Sequence, residues 1–82
     1  MNIFIGNLDE KIEESHLKNA FQDFGTVLSA KIIIDRSTGK SRGFGFIEMP
    51  NTEEAHKVIQ TVNGATWEGK IIIVKKAIKR KK

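Results

Sequence analysis

Apolar residues recur along this chain with two different periods. Leu17, Ala20, Phe21 and Phe24 stand at i, i+3, i+4 and i+7 within residues 13–24, and Ala55, Val58, Ile59 and Val62 repeat the stripe within about 52–63. That spacing predicts two helices, each with one apolar face. Four further stretches alternate with period two and predict strands: Asn2 to Leu8, Val27 to Asp35, Arg42 to Met49, and Lys70 to Lys76. The boundaries carry matching signals. Gly25 and Asn63-Gly64 follow the helical stripes as helix-ending residues, Gly39 supplies a turn in the polar Arg36–Ser41 loop, and Pro50 ends the third strand. Asn51 and Glu54 have capping-box spacing, whereas Glu13 is a weak N-cap, although Glu13 and Glu14 suit the first-turn dipole. The predicted order is βαββαβ.

The strands have an inverted composition. In the third, Arg42, Phe44, Phe46 and Glu48 share one face, and Gly43, Gly45, Ile47 and Met49 share the other. In the first, Ile3 and Ile5 oppose Phe4 and Gly6. In the second, Ala30, Ile32 and Ile34 oppose Lys31, Ile33 and Asp35; in the fourth, Ile72 and Val74 oppose Ile73 and Lys75. The aliphatic faces make the core. The aromatic faces therefore look elsewhere. Two amphipathic helices of similar length cover one face of a four-stranded antiparallel sheet and leave the other open. The expected class is α+β, a ferredoxin-like βαββαβ sandwich whose open face collects Phe4, Phe44, Phe46, Arg42 and Lys31. Flat rings beside fixed cations suit stacking on bases and contact with phosphates.

Composition narrows the picture. Eighty-two residues suit one domain with one modest core, and residues 1–77 are read as that domain, with 78–82 a basic tail. Cysteine is absent, which excludes disulfides and thiolate metal sites. The longest apolar run, Ile71 to Val74, is far short of the roughly 20 residues of a membrane span. Met1 leads directly into a strand, so no signal peptide is expected, and the chain reads as soluble and cytoplasmic, with no membrane partner. The net charge of +4 is unevenly distributed. Residues 1–74 hold eight Lys/Arg against ten Asp/Glu, a balance of −2, while residues 75–82 hold six Lys/Arg and no acid. Attraction to nucleic acid must come from placed cations and the tail. A nuclear-import reading of Lys79-Arg80-Lys81-Lys82 stays open beside this one.

Catalytic readings find little support. His16 and His56 lie on different helices without an acidic or cysteine ligand set, so no metal or cofactor is expected. Glu13/Glu14 and Glu53/Glu54 resemble paired carboxylates but act more simply as first-turn dipole partners. An acylphosphatase-like hydrolase on this fold would need an anion-cradling loop after the first strand. Here that loop is Asn7-Leu8-Asp9-Glu10-Lys11, whose carboxylates repel phosphate. Trp67 reads as a plug over the helix–sheet core in preference to a fourth stacking ring.

Arg42-Gly43-Phe44-Gly45-Phe46-Ile47-Glu48-Met49 resembles the longer ribonucleoprotein signature of the RNA recognition motif family, and Ile3-Phe4-Ile5-Gly6-Asn7-Leu8 resembles its shorter partner signature. The resemblance covers essentially residues 2–77. It implies a non-enzymatic module that binds single-stranded RNA, with single-stranded DNA a weaker ligand and a monomer the expected state. By the same resemblance Phe4 and Phe46 each stack on a base, Phe44 packs between sugars, and Arg42 pairs with a phosphate. Lys75 and Ala77 line the edge where the last strand exits, and Asn2, Lys31, Lys40, Lys79 and Arg80 complete the candidate contact set. Met49 departs from the signature, which prefers an aromatic there; parity places it in the core. Some family members bind protein on the same sheet, which is the alternative reading. The self-contained ends suggest a complete small protein that resembles bacterial single-motif members.

Overall fold

The computed structural model describes residues 1–77. In chain order the elements are β1 (Asn2–Gly6), α1 (Glu14–Gln22), β2 (Ser29–Ile34), β3 (Ser41–Glu48), α2 (Thr52–Val62), β4 (Thr66–Trp67), β5 (Lys70–Ile71) and β6 (Ile73–Lys76). Four strands form one antiparallel sheet in the order β2-β3-β1-β6, and β4 pairs with β5 in a separate hairpin. The two signature-bearing strands, β1 and β3, are therefore adjacent at the centre. This is the expected ferredoxin-like βαββαβ sandwich.

The core lies between helices and sheet and follows the period-two and period-3.6 patterns. Ile3, Ile5, Ile32, Ile47, Met49, Ile72 and Val74 of the sheet side meet Leu17, Phe21, Ala55 and Val58 of the helices in one buried cluster. Complete burial of such a side chain contributes roughly 1.5–3 kcal/mol. The Trp67 ring packs against this cluster, 6.4 Å from that of Phe21, and plugs the core as expected. Asn51 caps α2 by accepting the Glu54 N–H through its side-chain oxygen at 3.0 Å. At the start of α1 the N–H of Glu13 donates to His16 Nδ1 at 3.1 Å, a partner that compensates for the weak cap residue.

Four local expectations are corrected. Helix α1 ends at Gln22, so Phe24 lies beyond it and is 40% exposed. Gly25 serves close approach: a Cβ there would sit 2.5 Å from Glu54 Oε1, which accepts the Thr26 N–H at 3.1 Å. Ile34, placed by alternation in the core, is 49% exposed: it lines an open groove with Ile32, Glu13 and Glu14 at the start of α1, where the β2–β3 register also shifts between Ile32 and Ile34. Ile32 opposes Gly45 but Ile34 opposes Ser41, so β3 carries the extra residues, with Gly43 at φ 85° among them. The stretch from Lys70 to Lys76 is two strands, not one. At Ile72 the backbone turns to Gly64 and Ala65, donating its N–H to Ala65 O and accepting from Gly64 N–H, both at 2.9 Å. The segment read as the Ala65–Gly69 loop instead forms the β4–β5 hairpin, closed by Glu68 (φ 52°) and Gly69 (φ 77°). Two successive positive φ angles are what a tight two-residue hairpin turn requires.

Candidate nucleic-acid interface

The open face is ordered in rows that run across the strands. In the middle row Lys31 of β2 opposes Phe46 of β3, Phe46 opposes Phe4 of β1, and Phe4 opposes Lys75 of β6. Two rings thus stand at the centre of the sheet with a lysine at each end. The Phe4 and Phe46 rings meet nearly edge to face, with centroids 5.6 Å apart at 64°. Lys75 Nζ lies 5.5 Å from the Phe4 ring centroid, within cation–π range.

On one side of this row Phe44 opposes Gly6, and Gly6 opposes Ile73. The Phe4 ring leans over Gly6, because a Cβ at Gly6 would stand 2.8 Å from Phe4 Cε2. That lean brings Phe4 within 5.8 Å of Phe44 at a 34° tilt. Phe4, Phe44, Arg42, Lys70 and Ile73 line one shallow hollow there, so guanidinium and ammonium groups flank two rings. On the other side Ser29 opposes Glu48 and Glu48 opposes Asn2, whose carbonyl accepts the Ala77 N–H at 2.9 Å. These four residues, with Lys31 and Phe46, line a second hollow.

A β-strand alternation alone leaves such rings buried or solvent-facing. The helices decide it: both pack on the aliphatic face, and all three rings remain partly exposed on the other. The family model of the RNA recognition motif matches residues 3–73. The chain belongs to the RNA recognition motif family. It is 38% identical over 77 residues, 94% of this chain and 78% of the other, to the "Putative RNA-binding protein RbpE" of Nostoc sp.. The crystal structure of RNA Binding Protein PG1 superposes with a TM-score of 0.93, at 41% identity and over 100% of this chain and 99% of that one. The second RRM domain of the yeast Poly(U)-Binding Protein (Pub1) superposes with a TM-score of 0.86 at 31% identity, covering 99% and 98% of the two chains. Membership points to a non-enzymatic function.

This RNA recognition motif gathers most of the residues singled out from its sequence. Phe4, Phe44, Phe46, Arg42, Asn2, Lys31, Lys75 and Ala77 all line the two hollows or the middle row. Lys40 does not join them. It stands in the β2–β3 loop and lines a groove with Glu13, Glu14 and Ile34 near the start of α1. Lys79 and Arg80 lie outside the described residues. Sequence reasoning missed Lys70, which no periodicity could place because it reaches the ring hollow from the β4–β5 hairpin. It also passed over Gly6 as a seat for the Phe4 ring, a relation visible only once the ring's lean is known.

Proposed function

We propose that the open sheet face binds a short stretch of single-stranded RNA, about two to four nucleotides. The observation that carries this reading is the row Lys31–Phe46–Phe4–Lys75, two rings bracketed by two cations on the face the helices leave uncovered. Bases stack on Phe4 and Phe46, Phe44 packs against sugars, and Arg42, Lys70 and the basic tail meet phosphates. Double-stranded RNA buries its base faces in the stack, so flat rings on a sheet favour splayed single strands. DNA of the same sequence binds more weakly wherever a 2′-hydroxyl is contacted. Two stacks at about 1–3 kcal/mol each fall short of the roughly 8 kcal/mol of a micromolar complex, so the phosphate contacts supply the difference.

The test is fluorescence anisotropy with labelled short RNAs on the parent, Phe4→Ala and Phe46→Ala. Each variant is expected to bind about 5- to 150-fold more weakly, in keeping with the loss of one stack, and to keep the parent's amide spectrum. Equal binding by both variants and the parent sinks the reading. A second reading takes the same face as a protein-docking surface, and the 48% exposure of Ile73 beside Phe44 and Gly6 favours it. In that case titration with mixed short RNAs leaves the resonances of Phe4, Phe44 and Phe46 unmoved.

A further inference from the structure

We propose that Glu48 makes this face selective for guanine at the base stacked on Phe46, an inference that rests on the RNA-binding reading above. An RNA-binding surface gains nothing electrostatically from a carboxylate, which repels every phosphate passing it. Yet Glu48 stands on the open face, directly between Ser29 and Asn2 on the flanking strands. It lines the hollow of about 300 Å³ that also holds Phe46, Lys31 and Ala77. Among the described residues its carboxylate has no hydrogen-bond partner, while its backbone belongs to the sheet ladder and its carbonyl accepts the Leu28 N–H at 2.8 Å. An ionised carboxylate accepts and never donates, and its two oxygens can receive two parallel N–H groups.

The spacing suits an edge contact. Residues i and i+2 of a strand lie about 6.6 Å apart on one face. A base laid flat on the Phe46 ring therefore presents its rim to the Glu48 carboxylate. The four Watson–Crick edges differ in what they offer there. Guanine alone places two donors side by side, N1–H and the 2-amino group, with the O6 acceptor next to them. Cytosine and adenine each offer one amino donor beside a ring-nitrogen acceptor, and uracil flanks its single N–H with two carbonyls. Glu48 takes the guanine pair as a bidentate contact. The Lys31 ammonium, opposite Phe46 in the same hollow, is the cationic donor there for O6, beside the Asn2 amide and the Ser29 hydroxyl. With the other bases at least one acceptor faces the carboxylate, and the repulsion selects against them.

The test uses the full 82-residue chain and four pentanucleotides, UUGUU, UUAUU, UUCUU and UUUUU, with anisotropy as the readout. The guanine strand is expected to bind about 5- to 150-fold more tightly than the others, the range of one bidentate base contact. Replacing that guanine by inosine, which lacks the 2-amino group, should remove roughly half of the advantage on a logarithmic scale, with the protein unaltered. Glu48→Gln should collapse the ratio between guanine and the other bases. A merely electrostatic carboxylate gives a different result, since its removal strengthens all four strands alike and leaves their ratios unchanged. Binding of the four strands within about twofold of one another overturns the proposal, as does a guanine preference that survives Glu48→Gln. If those results come with weakened binding by Phe46→Ala, only the Glu48 assignment falls. If no strand binds at all, the RNA-binding reading falls with it.

Discussion

Gly6 is the one residue on the middle strand's open face without a side chain, and the Phe4 ring rests in the space this leaves. A Cβ at Gly6 meets Phe4 Cε2 at 2.8 Å and Cζ at 3.0 Å, so Gly6→Ala must tip the ring away. The expected outcome is a native fold with altered ring-current shifts at Phe4 and Phe44 and a several-fold loss of RNA affinity, read by NMR and anisotropy. Gly45 is glycine for a harder reason. A Cβ there runs into the backbone carbonyl of Lys31, which the β2–β3 ladder holds in place, and also stands 3.1 Å from Ile32 Cδ1. Gly45→Ala should therefore cost stability, about 1–3 kcal/mol as for other overpacked sites, measured by urea denaturation. Gly6 and Gly45 thus divide the work, one shaping the open face and the other the sheet itself.

At the scale of elements, each edge strand is fastened by a side chain from elsewhere in the chain. Glu14, in the first turn of α1, accepts the N–H of Ile32 on β2 at 3.1 Å, beside the register shift. Asn63, just after α2, accepts the N–H of Val74 on β6 at 2.9 Å. Both contacts occupy backbone donors that an edge would otherwise leave open to another strand. Asn63→Ala leaves the Val74 N–H without its acceptor next to a buried side chain, and about 1–3 kcal/mol of stability should be lost. Native-state hydrogen exchange checks it: the Val74 amide should lose protection more than amides at the centre of β1. The first turn of α1 was legible as a dipole-favouring acidic pair, but its bond to Ile32 was not. That bond needs the helix laid across β2, and no local pattern specifies such a crossing.

For the whole molecule, charge is the property that the fold divides most sharply. The segment of residues 1–74 has a balance of −2, and the positive charge is concentrated at the C-terminal end, partly in residues 78–82 beyond the described structure. Lys75 belongs to the middle row of the open face, and Ala77, the last described residue, lines the hollow beside Phe46. Each phosphate neutralised on a single strand contributes about 0.7 to the slope of log affinity against log salt. Removal of residues 79–82 should lower that slope by at most about 2.8. It should also weaken all RNA sequences about equally, because phosphate contacts carry no base information. Titrations at several salt concentrations on the parent and truncated chains measure both. An unchanged slope shows the tail to be a bystander, and a shifted base preference shows that it reads bases.

What the sequence determined by itself follows from periodicity. Alternation in β1 and β3 put Phe4, Phe44 and Phe46 on one face and Ile3, Ile5, Ile47 and Met49 on the other, and two amphipathic stripes supplied the helices that cover only the latter. These are short-range relations, enforced by backbone geometry within one element. Tertiary structure decided what depends on register and crossing. Ile34 was left uncovered in the groove beside the start of α1, the break at Ile72 made one predicted strand into two, and the resulting hairpin carried Lys70 to the rings. The row Lys31–Phe46–Phe4–Lys75 combines four strands, and only interstrand hydrogen bonding could set its members side by side. Faces are a property of the strand, but neighbours across a sheet are a property of the fold.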